Sequence, residues 1–328
     1  MSLFEPSKTR AGKLLYMFAK PALTGDPAVT IHDGDGVRGI FEGRQSMRFL
    51  GCDTPEVAYG VPTGPSGSTD NQPIGGPLWQ AYLDEPFAEG RWPAFDRPLS
   101  PLVQEHLARA AGPGTAANHA RHADLARDAL VGLIEEDRAM LGLSLEAFRL
   151  FVALAHEVFD GYGRMLAFVN AQVADRASRP DTYNDRMVAN GRAAPFFIWP
   201  NVDPFRGRPD VTDAALPPGE LRRAARQGNL GRARERARAA REQGQGIHDP
   251  ADPLRVLPYE LRMLGDRRAP HRWVIDLGAE DGDPTLLPPE GYMLVGALED
   301  RLFVPAEYVP LFVQRGWQPA RLVRVPPA

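Results

Sequence analysis

The sequence predicts an α+β fold: a small β-barrel with flanking helices, interrupted by a helical insertion and followed by a small C-terminal α+β region. Three observations predict it. Residues 28–56 alternate short apolar runs with Gly- and Asp-containing turns, apolar positions take a helical period from about Leu102, and a strand pattern returns at residues 165–169.

Taken in order, residues 14–19 form an apolar run between Lys13 and Lys20, a strand or short helix. The run is shorter than a signal-peptide core and too short to span a bilayer, so a cytoplasmic protein without membrane contact is expected. Three strands follow at 28–32, 37–41 and 46–52, joined by turns at 33–36 and 42–45. This meander opens the barrel, and residues 1–56 are its first part.

Residues 57–157 form the insertion. Its start, 60–77, is rich in Gly, Pro, Ser and Thr and reads as a flexible loop. Two helices are predicted after it, one with Leu125, Leu130, Leu133 and Ile134 on a stripe, the other with Leu145, Phe148, Leu150, Phe151 and Leu154. The barrel resumes in 158–248, with a strand at 165–169 and a short helix at 181–190 ended by Gly191. An Arg-rich helical stretch, 217–245, has eight arginines between Leu221 and Glu242, which read as a solvated face or as phosphate contacts. In 249–328, strands are expected at 272–277 and 292–296 and a helix at 305–314; this region is a candidate surface for a protein partner.

Composition bounds the chemistry. A chain of 328 residues with 43% hydrophobic content buries a full core, and a net charge of −4 excludes a generally basic coat, so polyanion binding must come from local clusters. The single cysteine, Cys52, excludes an intrachain disulfide and reads as a small apolar strand residue. His119 and His122 lie three apart on a helix without a nearby carboxylate pattern, and read as surface residues rather than zinc ligands. Gly64 to Gly76 lacks the lysine and flanking elements of a nucleotide-binding loop.

One stretch concentrates acid, base and cation. Asp33-Gly34-Asp35 is followed thirteen residues after Asp35 by Arg48, and then by Asp53-Thr54-Pro55-Glu56. Crowded carboxylates of this kind need a cation or guanidiniums to compensate them. An EF-hand is excluded, because Val37 and Arg44 stand at ligand positions of that loop. Downstream comes Asp160-Gly161-Tyr162-Gly163-Arg164, running into Met165-Leu166-Ala167-Phe168-Val169, and then Met187 to Ala193 and an aromatic run ending at Trp199-Pro200-Asn201.

These motifs, in this order, resemble the staphylococcal-nuclease (thermonuclease) family, over about half the chain in two blocks. The resemblance implies a five-stranded OB-type barrel and a Ca²⁺-dependent, largely sequence-nonspecific endonuclease that cuts DNA or RNA, preferably single-stranded, and leaves 3′-phosphates. It implies Asp35, Asp53 and the main-chain carbonyl of Thr54 as metal ligands, Asp33 behind them, Glu56 as the group that handles water, Arg48 and Arg164 on the phosphate oxygens, and Tyr162 as a phosphate contact. Gly161 stands where the family commonly has a lysine. Phe196, Phe197 and Trp199 fall where the family offers tyrosines to bases, with core packing as the other reading. The alternative class is a catalytically inactive OB-fold module that binds nucleic acid or protein.

Overall fold

The computed structural model describes residues 4–6, 15–21, 36–40, 44–65, 67–173, 175 and 179–321. The expected strand at 28–32 and the metal-ligand candidates Asp33 and Asp35 lie outside the described residues.

Four strands, β1 (Phe4–Pro6), β2 (Leu15–Pro21), β3 (Gly36–Ile40) and β4 (Arg44–Phe49), pair in sequence, all antiparallel. A short β5 (Gly51–Asp53) leads to a hairpin of β6 (Ala58–Gly64) and β7 (Gly67–Pro73), then to helices α1 (Pro77–Asp84), α2 (Pro101–Ala110) and α3 (Thr115–Met140). The sheet resumes with β8 (Leu150–Phe159) and β9 (Met165–Ala171), followed by α4 (Tyr183–Ala189) and β10 (Ala194–Ile198). Helices α5 (Val211–Ala214), α6 (Pro218–Ala225), α7 (Gly228–Glu242) and α8 (Pro258–Asp266) come next. The chain finishes with β11 (Trp273–Asp276), β12 (Thr285–Leu286), β13 (Arg301–Val304), α9 (Val309–Gln314) and β14 (Gln318–Pro319). The fold is mixed α+β, and among the described residues no helix is long and apolar enough to cross a membrane.

The main sheet has the order β1-β2-β3-β4-β9-β8, and β8 also pairs with β2. Its one parallel pair is β4 with β9, in the register Met47↔Met165, Arg48↔Leu166 and Phe49↔Ala167. Along β4, Met47 and Phe49 enter the core while Ser46 and Arg48 face outward, the two-residue alternation of a half-buried strand. Gly51 then takes φ +75°, a conformation that L side chains rarely adopt, so the single strand expected at 46–52 breaks and β5 turns into a second sheet, β11-β13-β10-β5.

Several expectations are corrected. The stripe Leu145, Phe148, Leu150, Phe151 and Leu154 is not helical: Phe148, Leu150, Val152 and Leu154 enter the core with a period of two, the small Ala153 is buried on the other face, and 150–159 is a strand paired with β9 and β2. A short apolar run carries both periods, and sheet pairing decides between them. The 60–77 loop is largely the β6–β7 hairpin, which admits Pro62 through register shifts on either side of it and buries Val61 and Ile74 against Trp79 and Tyr82. Residues 289–294 form a 3-10 helix where a strand was expected from 292.

Helix α3 carries the expected stripe, with Leu130, Leu133 and Ile134 packed in one core with Met47, Phe49, Val152 and Val169, but Leu125 is exposed on another face. The region from 57 to 157 therefore supplies part of the core under the main sheet.

The Arg-rich stretch is a solvated face only in part: Arg223, Arg226, Arg232, Arg238 and Arg241 are exposed, while Arg222 and Arg234 turn inward. Arg222 is wholly buried and donates to the carbonyls of Asp276, Asp281 and Asp283; Arg234 donates to those of Leu277, Glu299 and Ala225, and Arg241 pairs with Glu299 at 2.8 Å. These arginines fasten residues 276–300 to α6 and α7. The two buried ones, Arg222 and Arg234, donate to several backbone carbonyls each, which is what makes their burial tolerable.

Candidate active site

Arg48 leaves the end of β4 and Asp53 ends β5. Asp53 is 0% exposed, and Arg48 donates to its Oδ1. Thr54 and Glu56 follow, both buried. The Glu56 backbone N–H donates to His119 Nε2 at 2.9 Å, and His119 Nδ1 donates to the Val256 carbonyl at 3.2 Å. Both contacts are hydrogen bonds only for the neutral ring with its proton on Nδ1. Burial, foremost, pushes His119 down to about 3, so it stays neutral. His119 and His122 are thus corrected from surface residues to buried ones: His122 Nε2 donates to the Asp252 carbonyl at 2.9 Å.

The second cation at Asp53 comes from α8. Arg262 Nη2 donates to Asp53 Oδ2 at 2.8 Å and its Nη1 to Glu56 Oε1 at 2.5 Å. Burial alone would lower its pKa, but the two carboxylates hold the guanidinium well above its ordinary value. The pair is sound on charge grounds: a buried carboxylate is costly unless paired and hydrogen-bonded, and Asp53 has a guanidinium on each oxygen. The C-terminal region is held here by strand pairing as well, since β13 lies parallel to β10, and β10 sets Ala194 opposite Asp53 and Phe196 opposite Gly51.

Arg164 stands at the start of β9, two residues before Leu166, the partner of Arg48 in the parallel register. Asp160 builds the preceding turn: its Oδ1 accepts from the N–H groups of Tyr162 and Arg164, each at 2.9 Å, and its Oδ2 from Arg164 Nε at 2.7 Å. Gly163 adopts φ +76° in that turn. Tyr162 is 77% exposed, with the Arg164 guanidinium 5.5 Å from its ring centre.

Arg48, Glu56, Tyr162 and Arg164 line one cleft of about 1490 Å³. Asp53 and Thr54 lie directly behind its surface. Tyr59 of β6 reaches across toward Tyr162, and its hydroxyl, which donates to Asp266 at 3.0 Å, is pushed up by burial first and then by Tyr162 and the Asp266 charge. Phe196 borders the cleft, whereas Phe197 and Trp199 belong to a core cluster with Leu302 and Val304. Core packing is therefore the role of those two.

Three contributors carry no sequence signal of their own. His119 and Arg262 sit on ordinary amphipathic helices, and Asp160 declares itself only through the glycines after it. As for known proteins, no protein-family model matches the chain, and no curated protein matches it.

Proposed function

We propose that the protein is a Ca²⁺-dependent, largely sequence-nonspecific endonuclease that hydrolyses phosphodiester bonds of DNA, RNA or both and leaves 3′-phosphates. The observation that carries this reading is that Arg48 and Glu56 from one stretch of sequence and Arg164 from another line one cleft with the buried Asp53 behind it. The strand pairings support it too: β2, β3, β4, β9 and β8, with β8 returning to β2 and one parallel pair, follow the connectivity of an OB-type barrel such as that of the staphylococcal-nuclease family.

In this reading Arg48 and Arg164 hold the phosphate oxygens while negative charge builds in the transition state, and Tyr162 steadies the chain beside them. Glu56 takes a proton from the water whose oxygen attacks phosphorus; the bond from phosphorus to the 5′ oxygen breaks, and that oxygen takes a proton from solvent in the open cleft as it leaves.

The donor chemistry suits a hard cation. A buried carboxylate at Asp53 and the main-chain carbonyl of Thr54 are oxygen ligands of the kind Ca²⁺ takes, with Asp35 and, behind it, Asp33 completing the set from outside the described residues. When bound, such an ion would stabilise charge on the phosphoryl oxygens. Both oxygens of Asp53 are engaged by guanidiniums, so at least one contact, from Arg48 or Arg262, opens when Asp53 turns to a ligand role.

A second reading, a nucleic-acid binding module without catalysis, draws on the Arg262–Glu56 contact, because a guanidinium at 2.5 Å weakens Glu56 as a base. Circular single-stranded DNA separates the two. Incubated with wild type in Ca²⁺, the circles should open, and they should persist in chelator or with a Glu56→Gln Arg48→Ala variant. Binding without opening in any condition would favour the module.

A further inference from the structure

The far wall of the cleft is the loop that follows α8. Arg267 closes that helix at φ 53°, and its guanidinium is fixed by the carbonyls of Pro93 at 2.6 Å and Pro86 at 2.9 Å, 3.9 Å from the Phe95 ring centre. Asp96 accepts the Ala269 N–H at 2.8 Å, and Arg97 donates to the Pro270 carbonyl. Residues 93–97 thus pin the backbone of 267–270 in place.

What this pinned loop presents to the cleft is positive charge without a direct ion pair among the described residues. Arg268 and His271 are exposed and Arg272 is half-buried, all three on the cleft surface, and neither Arg268 nor Arg272 has an ion pair among the described residues. Arg222, Arg234 and Arg241 of α6 and α7, by contrast, donate to carbonyls or carboxylates. Most carboxylates of the cleft are engaged: Asp96 holds the loop, Asp160 holds Arg164, and Asp266 accepts from Tyr59. Glu157, Asp53 and Glu307 act on Arg272 from a distance. Burial first, and then Arg272, Arg97 and Arg268, push His271 down to about 4, a sign of crowded positive charge. The Arg272 guanidinium lies 5.8 Å from the Phe196 ring centre, and Phe196 is the partner of Gly51 on the strand that ends in Asp53.

We propose that Arg268 and Arg272 form a second phosphate-binding subsite, which takes the backbone of a single strand next to the unit held at Arg48 and Arg164. The proposal rests on the nucleic-acid reading of the cleft. A guanidinium fork matches a phosphate, and a phosphate supplies the direct ion pair that neither arginine has among the described residues. Size points to a polymer, since about 1490 Å³ exceeds the roughly 300–1,000 Å³ of small-molecule sites. A loop pinned in advance loses little entropy on binding.

Fluorescence anisotropy of a labelled oligothymidine, in chelator and across a salt series, tests this with the full chain. An Arg268→Ala Arg272→Ala variant should bind at least tenfold more weakly at low salt. Its plot of log affinity against log salt should be less steep by about 1.4, from two phosphates at about 0.7 each on a single strand. Arg268→Lys Arg272→Lys should keep most of the slope. An unchanged slope and affinity in the alanine variant overturns the subsite, and if wild type still opens circles the phosphodiesterase reading stands without it. Arginine-dependent binding by a chain that cuts nothing keeps the subsite and removes the enzyme. No oligonucleotide binding by wild type, or equal competition by polyglutamate, overturns it.

Discussion

Arg262 lies 209 residues beyond Asp53 in the chain, yet its guanidinium donates to Asp53 Oδ2 at 2.8 Å and also grips Glu56. The candidate site is therefore closed by the C-terminal region, and α8 is as much part of it as β4 and β5.

Removing that guanidinium should be felt as lost stability. Breaking a buried ion pair costs roughly 3–5 kcal/mol, and Arg262→Met should fall at the lower end because its side chain is 21% exposed and Asp53 keeps Arg48. Urea unfolding of Arg262→Met, Asp53→Asn and the double variant measures the coupling; additive effects would show that the contact contributes nothing.

His119 predicts a pH dependence. Its folded value near 3 is below its ordinary 6.5, so the unfolded chain binds the proton more readily. The stability held by the neutral ring is fully present above about pH 6.5 and is lost toward pH 3, at about 1.4 kcal/mol per pH unit within that window. The gap in unfolding free energy between wild type and His119→Gln should shrink from pH 7 to pH 5. A gap independent of pH would show that the ring is not held neutral.

Helix α3 should be inseparable from the main sheet. Leu130 is wholly buried against strands of the main sheet, and Leu130→Ala should cost roughly 2–5 kcal/mol. Replacing residues 60–150 by a short linker should yield no cooperatively folding protein. A folded deletion variant, shown by a sharp urea transition, would contradict the shared core.

Tyr162 offers the opposite case, a residue whose loss spares the fold. Exposed on the Asp160 turn, it should tolerate Tyr162→Ala within about 0.5 kcal/mol of stability, while oligonucleotide binding weakens by about 1–3 kcal/mol if a base stacks on it. Anisotropy and urea unfolding on the same sample separate the two effects.

How much of this was legible beforehand follows from the range of each interaction. The pairing of β3 with β4, the strand at 165–169 and the helix ended by Gly191 rest on local alternation and turn chemistry, and they formed with shifted ends, β4 stopping at Phe49 rather than at Cys52. Arg48, Glu56, Tyr162 and Arg164 were legible because their spacing repeats a pattern, and they meet in one cleft. The helical reading of 145–154 failed because the pairing of β8 with both β9 and β2 outweighs local periodicity. The β6–β7 hairpin hid in a Gly- and Pro-rich composition because its stability comes from Val61 and Ile74 in a distant cluster. Arg262 and His119 were invisible because tertiary contacts more than sixty residues long leave no mark on the residues beside them.

The most direct test of the central claim is the chemistry of the cut ends. An end-labelled single-stranded DNA, cleaved in Ca²⁺ by wild type and by Glu56→Gln, should yield 3′-phosphate and 5′-hydroxyl ends with wild type and at least a hundredfold less product with the variant. Ends carrying 5′-phosphate, or equal cleavage by Glu56→Gln, would contradict the roles assigned to Arg48, Glu56 and Arg164.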